Sequence, residues 1–253
     1  MSLRPRRPPA PSARRVPSAT IPAIALTLVD PSHHGPIMLK SLVIALGLLG
    51  VPGACNIVGS GVQGSGVAAS EVRQVAEFAQ VQLSGSFEVE VEVGPTASVR
   101  VEADDNIVPL ITTAVVGSTL KISARHGFST DLPVKVQISA PRLLGVDHSG
   151  SGSVHVRGIA SERFVAKLQG SGAIRLSGRA DALVATIDGS GALAAADLVT
   201  ASATVDLAGS GAAEVHAREQ LVVTIAGTGS VRYAGGPASI TRNIHGSGSI
   251  EPL

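Results

Sequence analysis

An all-β parallel β-helix, or solenoid, is the fold this sequence predicts, on three observations. The first is a hydroxyl bracketed by glycines that recurs at nearly constant spacing. Gly150-Ser151-Gly152, Gly170-Ser171-Gly172, Gly189-Ser190-Gly191, Gly209-Ser210-Gly211, Gly227-Thr228-Gly229 and Gly246-Ser247-Gly248 follow at steps of 20, 19, 20, 18 and 19 residues between first glycines. A fixed period near 20 belongs to stacked coils that bury one another's apolar face. The second is alternation between the triplets. Val154, Ile174, Leu193, Ala213, Val231 and Ile250 stand four residues after the first glycine, and Leu168, Ile187, Leu207, Ile225 and Ile244 two before the next. Period two marks strands with one buried face, so each coil is expected to carry two short strands, one entering the corner and one leaving it. The third is composition. The chain has no Trp, one Tyr and four Phe, and Ala, Val, Ile and Leu suit a narrow coil.

Residues 1–37 are rich in Arg and Pro and read as a start-site artefact or a disordered extension. Met38 opens a second N-terminus. Lys40, the apolar run 42–49 and the small-residue exit Val51-Pro52-Gly53-Ala54 describe a signal peptide over 38–55. The run is short of the roughly 20 residues that span a bilayer. Cys55 is the only cysteine and stands where a lipoprotein signal places its lipidated residue. Pro52 departs from the usual Leu of such a signal. Residues 56–71 read as a flexible Gly/Ser tether, and 72–253 as the folded domain, regular from 149 onward.

Within 72–148 the pattern is β-rich but irregular. This part is expected to supply irregular first coils or a layer over the open end of the solenoid, since an uncovered end exposes strand edges. Asp104-Asp105-Asn106 ahead of Ile107, Leu110 and Ile111 reads as the capped start of a short helix. Arg242, at an otherwise inward position of the last coil, reads as an atypical end coil.

The strand pair 78–93, the Asp105-Asn106 helix start, Gly117-Ser118-Thr119-Leu120 and the Gly-Ser-Gly series together resemble the bacterial DUF2807 family, the putative auto-transporter adhesin, head GIN domain. The resemblance covers roughly 72–250. It implies a right-handed parallel β-helix with coils of about 19–20 residues, an exported and often lipid-anchored protein, and no catalytic residue.

Candidate chemistry is thin. The hydroxyls of Ser151, Ser171, Ser190, Ser210, Thr228 and Ser247 are expected to form a structural ladder at the corner. No His and Asp recur beside them as nucleophile partners would. Asp147, His148 and His155 could ligate a metal, but no third ligand stands at a diagnostic spacing, and they read as surface polar residues. No cofactor is expected. The chain carries 20 basic and 19 acidic residues, and beyond Cys55 the balance is 14 against 18, a net −4. That excludes the basic patch of a nucleic-acid binder.

The expected protein is exported and membrane-anchored in the cell envelope, on its periplasmic or surface side, through lipid at Cys55. It is expected to be non-enzymatic, with an adhesion or scaffold role. Its partners would be an envelope protein, a glycan or a second copy. The alternative is a carbohydrate-active or carbohydrate-binding β-helix, for which outward Asp188 and Asp206 are the carboxylates to check.

Overall fold

The computed structural model describes residues 61–253. The strands before the regular coils are β1 (Val62–Gln63), β2 (Ala68–Arg73), β3 (Gln80–Ser84), β4 (Glu88–Val93), β5 (Ser98–Asp104), β6 (Ile111–Val116), β7 (Thr119–Ala124), β8 (Phe128–Ser129), β9 (Lys135–Ala140) and β10 (Gly145–Gly150). The coils follow as β11 (Ser153–Gly170), β12 (Ala173–Gly189), β13 (Ala192–Gly209), β14 (Ala212–Gly227), β15 (Ser230–Ala234), β16 (Ser239–Gly246) and β17 (Ser249–Pro252). From β10 onward every pairing is parallel. The fold is therefore the parallel β-solenoid that the period predicts.

The coils differ from expectation in one respect. Their two arms are not separate strands. Pairing continues around a second corner, so that β11 to β14 each run 16 to 18 residues. The turn is taken where the register slips, between Val156 and Ile159, Arg175 and Gly178, and Ala195 and Val199. A bulge bends a strand while keeping most of its ladder.

The two arms build two stacks. Arms that enter the Gly-Ser-Gly corner stack in the order β6, β7, β3, β10, β11, β12, β13, β14, β16. Arms that leave it stack as β2, β5, β9, β4, β11, β12, β13, β14, β15, β17. Inward side chains form columns along each stack. One reads Ile122, Leu83, His148, Leu168, Ile187, Leu207, Ile225, and all seven are buried. Another reads Val101, Val136, Val89, Val154, Ile174, Leu193, Ala213, Val231, again all buried.

Stacking at the corner is backbone on backbone. Ser190 N–H donates to the carbonyl of Gly170 at 3.0 Å, and Ala192 N–H to that of Gly172 at 3.0 Å. Gly189 has φ +123°, and a Cβ there would lie 2.5 Å from the Gly170 carbonyl oxygen. The left-handed region favours glycine, and the contact leaves no room for a methyl group.

The segment before the coils does both things expected of it. Gly85-Ser86 is a further corner, stacked beneath Gly150-Ser151, with Phe87 in place of the second glycine. The strands β5 and β6 then close the N-terminal end by antiparallel pairing, with β2 outermost on the leaving stack. The described part of the segment assigned to a tether, 56–71, is not free chain: β1 pairs with β8, and β2 pairs with β5.

The corner contact makes a specific prediction. Gly189→Ala loses roughly 1–3 kcal/mol or more, since it adds a clash to a strained conformation. Gly236→Ala, at φ +64° with open space around its Cβ, loses about 1 kcal/mol. Urea unfolding of both variants measures the difference, and equal losses would show that the corners are not close-packed.

Candidate functional site

The outward faces are where ligands could be met. On the leaving stack one outward row runs Arg100, Gln137, Glu90, His155, Arg175, Ala194, Glu214, Arg232, Glu251. Arg232 donates to Glu214, and Arg157 lies 3.7 Å from Glu90. Such exposed pairs contribute at most about 1 kcal/mol. A polar groove of about 320 Å³ lies at the N-terminal end of this face, between Glu90, Glu92, Arg100, Gln137 and Arg157.

The corner hydroxyls are all exposed. Thr228 Oγ1 donates to Ser210 Oγ at 3.0 Å, and Ser151 and Ser86 hydroxyls meet at 2.8 Å. The backbone bonds are more regular. The N–H groups of Ser171, Ser190, Ser210, Thr228 and Ser247 each donate to the first glycine one corner earlier, at 3.0 to 3.2 Å.

His148 is not the surface residue expected from sequence. It points inward at the position that Leu83 and Leu168 hold in neighbouring strands, and it is buried. Its Nε2 lies 3.1 Å from the Gly152 carbonyl, which fits a proton on that nitrogen. Its Nδ1 is buried without a hydrogen-bond partner. Burial holds the imidazole below its ordinary pKa, opposed by the Gly152 carbonyl and the Asp147 carboxylate. Asp147 and His155 stand at outward positions, so the three residues do not converge. Among the described residues no three of His, Cys, Asp and Glu are placed to hold a metal ion.

The acidic pair is also corrected. The short helix is a 3₁₀ turn, Val108–Leu110, whose N-cap is Ile107 with no side-chain capping bond. Helix capping fails because Asp104 is turned to the preceding segment of chain. Its carboxylate accepts from Gly66 N–H at 2.6 Å and from the Thr130 hydroxyl. Ser65 Oγ donates to Asp105, Ser65 N–H donates to Asn106 Oδ1 at 3.0 Å, and Asn106 Nδ2 donates to the Gln63 carbonyl at 2.7 Å. The run Asp104-Asp105-Asn106 is thus a latch that holds residues 63–66. Next to it, Arg73 donates to the carbonyls of Ile111 and Val108 at 2.5 and 2.9 Å.

Asp188 and Asp206 do share an outward face. Thr186 pairs with Asp206, and Asp188 with Ala208, so the two carboxylates are diagonal neighbours in adjacent coils. Both are exposed on the strand surface. The sequence reading missed the Gly85 corner and the buried His148. Leu83 two residues before Gly85, with Val89 four after and Val91 six after, repeats the coil pattern and could have revealed the first. For the second, the phase of the single short strand β10 is too weak a signal by itself. Cys55 lies outside the described residues.

Two acid responses follow. His148 is held neutral in the fold but takes up a proton near its ordinary pKa of about 6.5 once unfolded. Stability therefore falls as pH drops below that value. His148→Leu removes this sensitivity and stabilises by about 1 kcal/mol, because a buried unpaired nitrogen is lost while Ala173 N–H still satisfies the Gly152 carbonyl. Urea titrations at pH 7 and pH 5 test both statements. Asp104 responds in the same direction for the opposite reason. The Thr130 hydroxyl, with Gly66 N–H, outweighs burial and holds its carboxyl below the usual pKa. The latch is whole above the ordinary carboxylate pKa and is lost as pH falls through the lowered one. Asp104→Ala is expected to speed amide exchange across 62–67 while leaving 164–168 protected.

No curated protein matches this chain. Three crystal structures resemble it in fold. A "putative adhesin" from Bacteroides fragilis NCTC 9343 is 22% identical, covers 76% of this chain and 100% of its own, and superposes with a TM-score of 0.64. A "putative lipid binding protein" from Parabacteroides distasonis ATCC 8503 is 22% identical over 76% of this chain and 99% of its own, with a TM-score of 0.54. A "putative adhesin" from the same organism is 23% identical with the same coverage and a TM-score of 0.52. At these identities the likeness shows the shared fold. Residues 77–237 match the sequence pattern of one family. That match takes in most of the chain, which therefore belongs to the DUF2807 family, described as the putative auto-transporter adhesin, head GIN domain.

Proposed function

We propose that this protein is exported to the cell envelope, is anchored there by lipid at Cys55, and offers its solenoid as a non-enzymatic adhesion or scaffold surface. The observation that carries the reading is the difference between the two ends of the solenoid. At the N-terminal end, antiparallel strands cover the first coils. At the other end, among the described residues, β16 pairs only with β14 and β17 only with β15. The inward row of β16 is accordingly uncovered, with Ile244 41% exposed and Arg242 exposed beside it. A free parallel edge with apolar inward side chains is a template for strand addition. Family membership and the names of the fold relatives support an envelope and adhesion role.

A second reading, carbohydrate binding, is favoured by the polar groove at Glu90, Glu92, Arg100 and Arg157. Carboxylates and guanidinium groups there alternate acceptors and donors, as sugar hydroxyls require. It carries less weight because Glu90 is engaged with Arg157 and the chain has no Trp and one Tyr for stacking.

Intact mass of the protein recovered from membranes of an expressing bacterium tests the anchor. The expected species begins at Cys55 and carries a diacylglycerol and an acyl chain. A soluble product that retains Met1 would sink the export reading. For the edge, Ile244→Lys is expected to leave the unfolding midpoint nearly unchanged and to abolish association in sedimentation velocity. Equal sedimentation of both proteins as monomers would remove self-association from the proposal.

A further inference from the structure

The large apolar side chains exposed among the described residues are not spread over the solenoid. Val62, Val67, Val72 and Val116 lie at its N-terminal end, and Ile244 and Leu253 lie at the other. Val67 and Val72 are 59% and 51% exposed, on and beside β2, the outermost strand of the leaving stack. Beside them is an apolar groove of about 380 Å³ formed by Ala68, Ala69, Ala103, Leu132 and Pro133, with Glu102 and Lys135 at its sides. On β2 itself Glu71 and Arg73 pair with each other, which leaves the exposed valines and the groove as an apolar strip on an edge of the kind that is usually protected by charge.

Chain length says what can reach this strip. Six residues lie between Cys55 and Val62, and the seven steps of a fully extended chain span at most about 25 Å. The strip also begins within the first residues of the fold after the anchor. We propose that the N-terminal end of the domain, through Val67, Val72 and the adjoining groove, rests on the surface of the leaflet that holds the anchor. This inference rests on the Cys55 anchor proposed above. It deepens that reading by giving the domain an orientation. Ten strands from β2 to β17 at about 4.8 Å spacing carry the open edge roughly 40 Å away from the membrane, where a partner can reach it.

The protein has no Trp, so single tryptophans report without interference. The acylated full chain carrying Val67→Trp, Val72→Trp or Ile244→Trp is reconstituted into phosphatidylcholine vesicles with brominated acyl chains. Trp at 67 and 72 is expected to lose most of its emission relative to unbrominated vesicles, and Trp at 244 to keep it. Where a tryptophan variant does not fold, amide exchange of the unsubstituted protein replaces it, with slowing across 66–73 on reconstitution as the expected result. Full emission at all three positions, with intact mass showing the acyl chains, overturns the orientation and leaves the anchor standing. A mass without acyl chains overturns the anchor instead. Vesicles added to that unacylated protein then decide the contact by whether they quench Trp at 67. A concentration-dependent blue shift at 67 with no quenching assigns the strip to a second copy and overturns the membrane contact.

Discussion

Everything in this molecule depends on one contact, the stacking of each glycine corner on the carbonyl of the corner before it. The backbone of Gly189 sits so close to that of Gly170 that a methyl group would lie 2.5 Å from its carbonyl oxygen. Because corners can approach this closely, the strands on both sides of them meet at pairing distance. The inward side chains then stack like on like in columns, and burial supplies the stabilisation. Bulkier corners would separate the coils and open both ladders together. The domain as described contains no disulfide pair, so packing and backbone hydrogen bonds must suffice.

Such a column tolerates little variation, which gives its exceptions meaning. His148 interrupts a run of leucines and isoleucines at the first regular coil, where the regular and irregular parts of the domain join. The position is polar, half-satisfied and sensitive to acid. Asp104 plays a similar part at the other boundary, where residues 63–66 are tied down. Both joints lose strength as pH falls, one because a base must be charged and the other because an acid must be neutralised. The inward columns of the long regular coils between Gly150 and Gly227 hold polar groups that do not titrate with acid, Thr200, which donates to the His216 carbonyl, and Ser161, whose hydroxyl is buried without a partner.

The two ends of the solenoid differ. The N-terminal end is closed by antiparallel pairing and by Arg73 on the carbonyls of the 3₁₀ turn, yet leaves Val67 and Val72 exposed. At the far end, among the described residues, β16 pairs only with β14 and β17 only with β15. Between them the faces are flat, polar and small-residued, with Ala194, Ala208 and Ala226 at outward positions. With the anchor proposed at Cys55, the solenoid would act as a spacer held at one end and presenting the other.

The sequence by itself determined the repeat, the period and the inward residues, because a stacked coil repeats the same local constraint every 20 residues and each repeat confirms the next. It also determined the corner serines and the single cysteine. Only the tertiary structure decided the order of the first layers. The chain lays down β3 and β4 around the Gly85 corner, moves outward to build β5, β6, β7 and β9, then returns so that β10 pairs β3 and β11 pairs β4. No local pattern encodes that return, since β10 would satisfy its ladder against any parallel edge, and only the packed whole selects one. The same reason hid the latch. Asp104-Asp105-Asn106 has the local chemistry of a helix cap, and what it binds instead, Ser65 and Gly66, lies about 40 residues away. Burial of His148 was hidden likewise, because the phase of a single short strand is weak until neighbours on both sides fix which face is inside.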